Sequence, residues 1–276
     1  TRNGTHSMTT VSLPGGETIW YKTTGQGAPL LHIHGSAFGH RNFEKMTPHM
    51  ANDFQVIDFD LPGYGESIGT SRDGGMEGLA EQVFEFIEAA GYERVHIHGT
   101  SFGAMIAYNL AARHPIVVDK LVLSCFLARY DLAARMMRQT WKRTARDSGM
   151  EAVADLTSVA GFARSFYERP EADAQLESMR EAFSHTEPEA FISGTETIEK
   201  TDLSALTSEI RAPVLFLAGD EDNMTPFKPA DSGVGMLQIQ ASLPSCETAV
   251  LEECGHYLVI EQPERASALI EKFLNA

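Results

Sequence analysis

The chain has 276 residues, 43% of them hydrophobic and 22% charged, enough apolar material to fill the core of one large domain or of one domain with an insertion. Its 38 acidic residues outweigh 22 basic ones, and a formal charge of -16 repels phosphate backbones and anionic membrane surfaces, which speaks against nucleic acid or membrane partners. Three cysteines, Cys125, Cys246 and Cys254, have neither disulfide-framework nor zinc-motif spacing, and no apolar run reaches the roughly 20 residues that span a bilayer, so a reducing cytoplasm is the expected setting.

In chain order, the polar stretch 1–7 ahead of Met8 reads as an expression remnant and is set aside. Short β-rich runs follow at 18–22, 29–34, 55–60, 94–98, 120–124, 213–218 and 248–252, alternating with helical patterns. Such alternation predicts a largely parallel α/β sheet covered by helices on both faces. Leu79, Val83, Phe86, Ile87 and Ala90 recur at helical spacing before a terminating Gly91, and Ala266, Leu269, Ile270, Phe273 and Leu274 repeat the pattern near the end. Residues 126–205 break the alternation with consecutive helices interrupted near Gly149, Gly161, Pro170 and Pro188. They read as a helical cap inserted into a core made of 1–125 and 206–276.

Three stretches carry chemistry. Gly99-Thr100-Ser101-Phe102-Gly103 lies between a strand-like run and a nearly all-apolar helix, the setting in which a strained turn exposes a serine hydroxyl and small neighbours let the chain fold back. A plain structural turn is the bland alternative. A serine hydroxyl needs a base, and the base an orienting acid. Asp220, Glu221 and Asp222 compete for the second role at the end of run 213–218, and His256 in Cys254-Gly255-His256 follows run 248–252, so the order is serine, acid, histidine. For a developing oxyanion, His34-Gly35-Ser36-Ala37-Phe38-Gly39 offers the N–H of Ser36, with Ala37 as the alternative, and Phe102 offers the second.

With these motifs stand Asp60-Leu61-Pro62-Gly63-Tyr64-Gly65-Glu66-Ser67, Pro226, and Gly255-His256 followed by Glu261-Gln262-Pro263-Glu264. Together they resemble the α/β-hydrolase family over nearly the whole chain. The resemblance implies an eight-stranded, mostly parallel sheet roofed by a cap, with Ser101, Asp222 and His256 matching the family triad. The family's acid, four residues before Pro226, favours Asp222. The cap, with Trp141 and Gly149-Met150-Glu151-Ala152, and the stretch from Thr201-Asp202-Leu203 to Ile210-Arg211-Ala212-Pro213 are similar to 3-oxoadipate enol-lactonases. His34-Gly35-Ser36 instead resembles meta-cleavage-product hydrolases, which split carbon–carbon bonds. The reading is therefore a cofactor-free hydrolase of a small ester or lactone. Carbon–carbon hydrolysis and a receptor-like binding protein are the alternatives, and the sequence leaves the oligomeric state open.

The expected ligand is a small, mainly apolar molecule that could carry a carboxylate. Trp141 and Met137 are the candidates to line its pocket, although apolar stripes of this kind are more often packing. Arg129, Arg135, Arg138, Arg143, Arg146 and Arg164 give the insertion a basic character; each alone reads as a solvated charge, while one could clamp a carboxylate. His32, His34, His96 and His98 share a strand face without a completing Cys or Glu, so no metal is assigned to them. Asp58 and Asp60 read as turn-stabilising.

Overall fold

The computed structural model describes residues 7–276. Ten strands run through it: Ser7–Ser12 (β1), Thr18–Thr24 (β2), Ala28–Ile33 (β3), Phe54–Phe59 (β4), Val95–Thr100 (β5), Val118–Ser124 (β6), Leu127–Arg129 (β7), Val214–Gly219 (β8), Val234–Gly235 (β9) and Cys246–Leu251 (β10). Eight of them form one sheet in the order β1-β2-β4-β3-β5-β6-β8-β10. β2 pairs antiparallel with β1 and β4, and every other pairing in this sheet is parallel.

The central strands β5 and β8 are buried at all six positions, as parallel strands covered on both faces must be. Along β3 the period of two sends Leu31 and Ile33 to one core and Leu30 to the other. The first core is closed by helix Met76–Ala89, which buries Leu79, Val83, Phe86 and Ile87, and by helix Phe102–Arg113, buried everywhere except Arg113. The second is closed by helix Pro263–Asn275 through Ile270, Phe273 and Leu274. Gly91, at φ 82°, takes the left-handed conformation that ends the first of these helices.

Of the stretch set aside at the start, residues 1–6 lie outside the described residues. Ser7 belongs to β1, which pairs along its whole length with β2. Between β7 and β8 the chain forms helices Leu132–Ser148, Met150–Gly161, Ala172–Ser184 and Pro188–Lys200. Asp131 caps the first by accepting from the Ala134 N–H at 2.9 Å, Gly149 at φ 83° turns the chain into the second, and Pro188 opens the fourth. β7 pairs antiparallel with β9, which stitches the start of this insertion to the loop after β8.

Candidate active site

β5 delivers Ser101 to a turn in which its backbone holds φ 53°, ψ -114°. That region is costly for a residue with a β-carbon, by about 1–3 kcal/mol, and persists only where neighbours enforce it. They do so here. The Ser101 N–H donates to the Ser124 carbonyl at 2.9 Å, and its own carbonyl accepts from Ala104 and Met105 as the following helix begins. A β-carbon at 99 would strike the Gly103 carbonyl, and one at 103 the carbonyls of Ile33 and His34, so both positions need glycine for close approach.

Asp222 sits in the turn after β8, almost fully buried. Its Oδ1 accepts the N–H groups of Met224 (2.8 Å) and Thr225 (2.9 Å), and its Oδ2 accepts the Thr225 hydroxyl at 2.7 Å. His256 Nδ1 completes the set, 3.0 Å from Oδ2. Burial by itself would raise the carboxyl, but the His256 imidazole and these hydrogen bonds reverse it and hold Asp222 below its ordinary value. Its two neighbours point elsewhere: Asp220 accepts from the Cys254 N–H and Glu221 from the Arg164 N–H. The His256 loop is fixed by three contacts. The His256 N–H donates to the Gly161 carbonyl at 2.6 Å, the Cys125 thiol donates to the His256 carbonyl at 3.1 Å, and the Gly255 N–H donates to Glu261 at 3.0 Å.

Ser101 and His256 line one cavity of about 30 Å³, closed on the sheet side by Gly35, Ser36 and Asn42 and on the insertion side by Arg138, Trp141 and Phe191. With Nδ1 engaged by Asp222 and Thr225, the Nε2 face of the ring has no hydrogen-bond partner among the described residues, the Ser101 hydroxyl included. Ser101 instead neighbours the Tyr130 phenol, which burial raises and which Arg138 and the serine hydroxyl pull back. The Ser36 side-chain oxygen is buried with no partner among the described residues. The Gly35 N–H is already taken by Asn42 Oδ1 at 2.8 Å. Phe102 is not among the residues lining the cavity; its side chain turns into the core, and its N–H, at the first helical position, has no intrahelical acceptor.

The alpha/beta hydrolase fold pattern matches residues 28–263. The chain belongs to that family. A 2-hydroxy-6-oxononadienedioate/2-hydroxy-6-oxononatrienedioate hydrolase of Paraburkholderia phymatum is 28% identical over 272 residues, covering 93% of this chain and 90% of the relative. A pimeloyl-[acyl-carrier protein] methyl ester esterase of Nitrosomonas europaea is 28% identical over 270 residues, covering 90% of this chain and 96% of the relative. The crystal structure of the enol-lactonase from Burkholderia xenovorans LB400 superimposes with a TM-score of 0.85 at 21% identity, over 97% of this chain and 100% of that one, a likeness of fold.

In this α/β-hydrolase, Trp141 faces the cavity, but Met137 is not among the lining residues. The inward stripe of its helix is Ala134, Arg138, Trp141 and Ala145. One residue off that stripe, Met137 is rotated by about 100° and packs, half-buried, against the two cores instead. The four strand histidines do lie on adjacent strands, with His32 opposite His98. Their partners diverge, however: His32 bonds Asp58, His98 bonds Ser124, His96 lies 3.4 Å from Asp119, and His34 Nε2 accepts from the Leu61 N–H. Among the described residues, the one group of three potential metal ligands within 4.8 Å is Cys125, Asp222 and His256. Burial pushes that thiol well above its ordinary range, so it stays protonated and is a poor metal ligand. Asp60 organises its turn by accepting from the His40 and Glu66 N–H groups. Asn42, Thr225 and Tyr130 were invisible to motif reading, since none is in a motif and each acquires its neighbour only through folding.

Proposed function

We propose that this α/β-hydrolase is a serine hydrolase of small carboxylic esters or lactones, working beneath the helical insertion as its cap. Asp222 fixes His256 with Nδ1 protonated, and Nε2 takes the proton of Ser101 as Oγ bonds to the substrate carbonyl carbon. The resulting oxyanion is held by the Ser36 and Phe102 N–H groups. As the carbon–oxygen bond breaks, His256 returns the proton to the leaving oxygen; water then attacks the acyl-enzyme by the same route. No cofactor enters this scheme, and the free thiols of Cys125, Cys246 and Cys254 suit a reducing cytoplasm.

The observation that carries the reading is the buried Asp222–His256 pair opening onto the cavity that holds Ser101. The 28% identical methyl ester esterase supports the ester side. Ser101→Ala is expected to lower kcat on 4-nitrophenyl butyrate by about 10⁴-fold or more with an unchanged melting curve. Retained turnover would place the nucleophile elsewhere. A second reading, hydrolysis of a carbon–carbon bond in a ring-cleavage product, is favoured by the relative named as a dienedioate hydrolase. Turnover of such a dienone faster than aryl esters selects it.

A further inference from the structure

On the inward stripe of helix Leu132–Ser148, between Ala134 and Trp141, stands an arginine where packing calls for an apolar side chain. Arg138 is 2% exposed and lines the cavity that holds Ser101 and His256. Its Nη2 donates to the Tyr130 hydroxyl at 2.9 Å, while Nε and Nη1 are buried with no partner among the described residues. None of the ion pairs among those residues includes Arg138. Arg72, by contrast, is held by Glu17 and Glu85, and Arg180 by Asp155 and Glu177. The Arg138 guanidinium carbon instead sits 4.7 Å from the Tyr130 ring centre and 5.1 Å from that of Trp141.

A buried cation is costly unless an anion or a full set of acceptors compensates it, and two aromatic faces with one phenol are incomplete compensation. The buried acid of the site, Asp222, is already committed to His256 and Thr225. The missing anion must therefore come from the cavity.

We infer that Arg138 recognises a carboxylate on the substrate, so that the enzyme acts on half-esters or lactones of short dicarboxylic acids. This rests on the reading of Ser101 as the reacting hydroxyl. A guanidinium is also geometrically matched to a planar carboxylate. Tyr130 sits between the two groups, hydrogen-bonded to Arg138 and neighbouring Ser101. Arg138 and Ser101 thus line one small cavity with a single phenol between them, which suits a short chain between the scissile carbonyl and the carboxylate.

The test compares methyl hydrogen succinate and methyl hydrogen glutarate with their dimethyl esters, which differ by one neutralised charge. The wild type is expected to prefer the half-esters by about 10- to 100-fold in kcat/KM. Arg138→Gln is expected to lower kcat/KM on the half-esters by about 10-fold or more beyond any change on the diesters, mainly through KM, so that the preference disappears, and Arg138→Lys restores part of it. Equal turnover of charged and neutral esters by the wild type, or an equal loss on both in Arg138→Gln, overturns the assignment. Succinate and glutarate are also titrated into Ser101→Ala by calorimetry. Binding that disappears in Ser101→Ala/Arg138→Gln supports Arg138 even where no ester is turned over, in which case only the hydrolytic reading has failed. No binding to Ser101→Ala overturns the carboxylate assignment itself.

Discussion

Asp222 carries more hydrogen bonds than either neighbouring acid, Asp220 or Glu221. Oδ1 is held by the Met224 and Thr225 N–H groups, Oδ2 takes the Thr225 hydroxyl, and His256 Nδ1 spans the two at 3.1 and 3.0 Å. In Asp222→Asn the amide oxygen would keep the two backbone donors, which turns the NH₂ toward Nδ1 and forces the ring proton onto Nε2. That tautomer cannot accept a proton from Ser101. Steady-state kinetics on 4-nitrophenyl butyrate should show kcat falling by about 10³- to 10⁴-fold with the fold intact. Asp220→Asn is expected to leave kcat nearly unchanged, because its carboxylate serves the Cys254 backbone; a comparable loss there would contradict the division of labour. Asp222 also contributes to stability. Its folded value is depressed, so that contribution is present above the ordinary aspartate range and is lost as pH falls through the depressed value.

One buried carboxylate bridges the loop after β10 and the insertion. Glu261 accepts from the Gly255 N–H and the Ala163 N–H, both at 3.0 Å, and so couples the His256 turn to the end of helix Met150–Gly161. Burial outweighs those donors and the nearby Arg169, raising its carboxyl from 4.5 to about 7. A folded value above the unfolded one means that the folded chain holds the proton more tightly. The contribution is therefore full below pH 4.5 and is lost as pH rises through about 7. Urea unfolding of the wild type should show stability declining between pH 5 and pH 8 by about 3 kcal/mol, and Glu261→Gln should flatten that decline. A slope unaltered by the substitution would assign it to other groups. Legibility in the sequence follows the range of the interactions concerned. Runs such as 213–218 and the stripe Leu79, Val83, Phe86 were readable because burial repeats with a local period, and β8 and helix Met76–Ala89 appear there. β1 was missed because Ser7–Ser12 has no apolar run and exists by pairing with β2. The ribbon of β7 with β9 joins segments roughly a hundred residues apart, which no local pattern encodes. Ser101, Asp222 and His256 stood out by motif and order, whereas Arg138 looked like one of six solvated charges until the cavity enclosed it.

The insertion leaves a narrow, partly open cavity over the site. A cavity of about 30 Å³ holds about two water molecules, so an ester with an acyl chain is expected to enter as the insertion shifts. Its two ends are attached differently. At one end three hydrogen bonds anchor it, one of them between backbone groups: the His256 N–H on the Gly161 carbonyl, the Ala163 N–H on the Glu261 carboxylate and the Arg169 guanidinium on the Glu261 carbonyl at 2.6 Å. At the other end every contact named uses a side chain: Thr186 to the Ala37 carbonyl, Tyr64 to the Ala190 carbonyl, Phe183 edge-on to Phe38, and Arg41 with Glu181 at 3.0 Å on the surface. The segment around 181–191 is therefore expected to be the part that rises. Arg41→Cys/Glu181→Cys, placed in a Cys246→Ser background because the other two thiols are buried, allows that end to be pinned with a short bis-methanethiosulfonate, which forms a disulfide with each cysteine as methanesulfinate leaves and is released by reductant. Turnover of 4-nitrophenyl butyrate should fall as the link forms and recover on reduction. A link within the insertion, between Asp155→Cys and Arg180→Cys at the site of another surface ion pair, should leave turnover unchanged in the same background. Full activity in the pinned protein would mean that substrate reaches Ser101 without this segment moving.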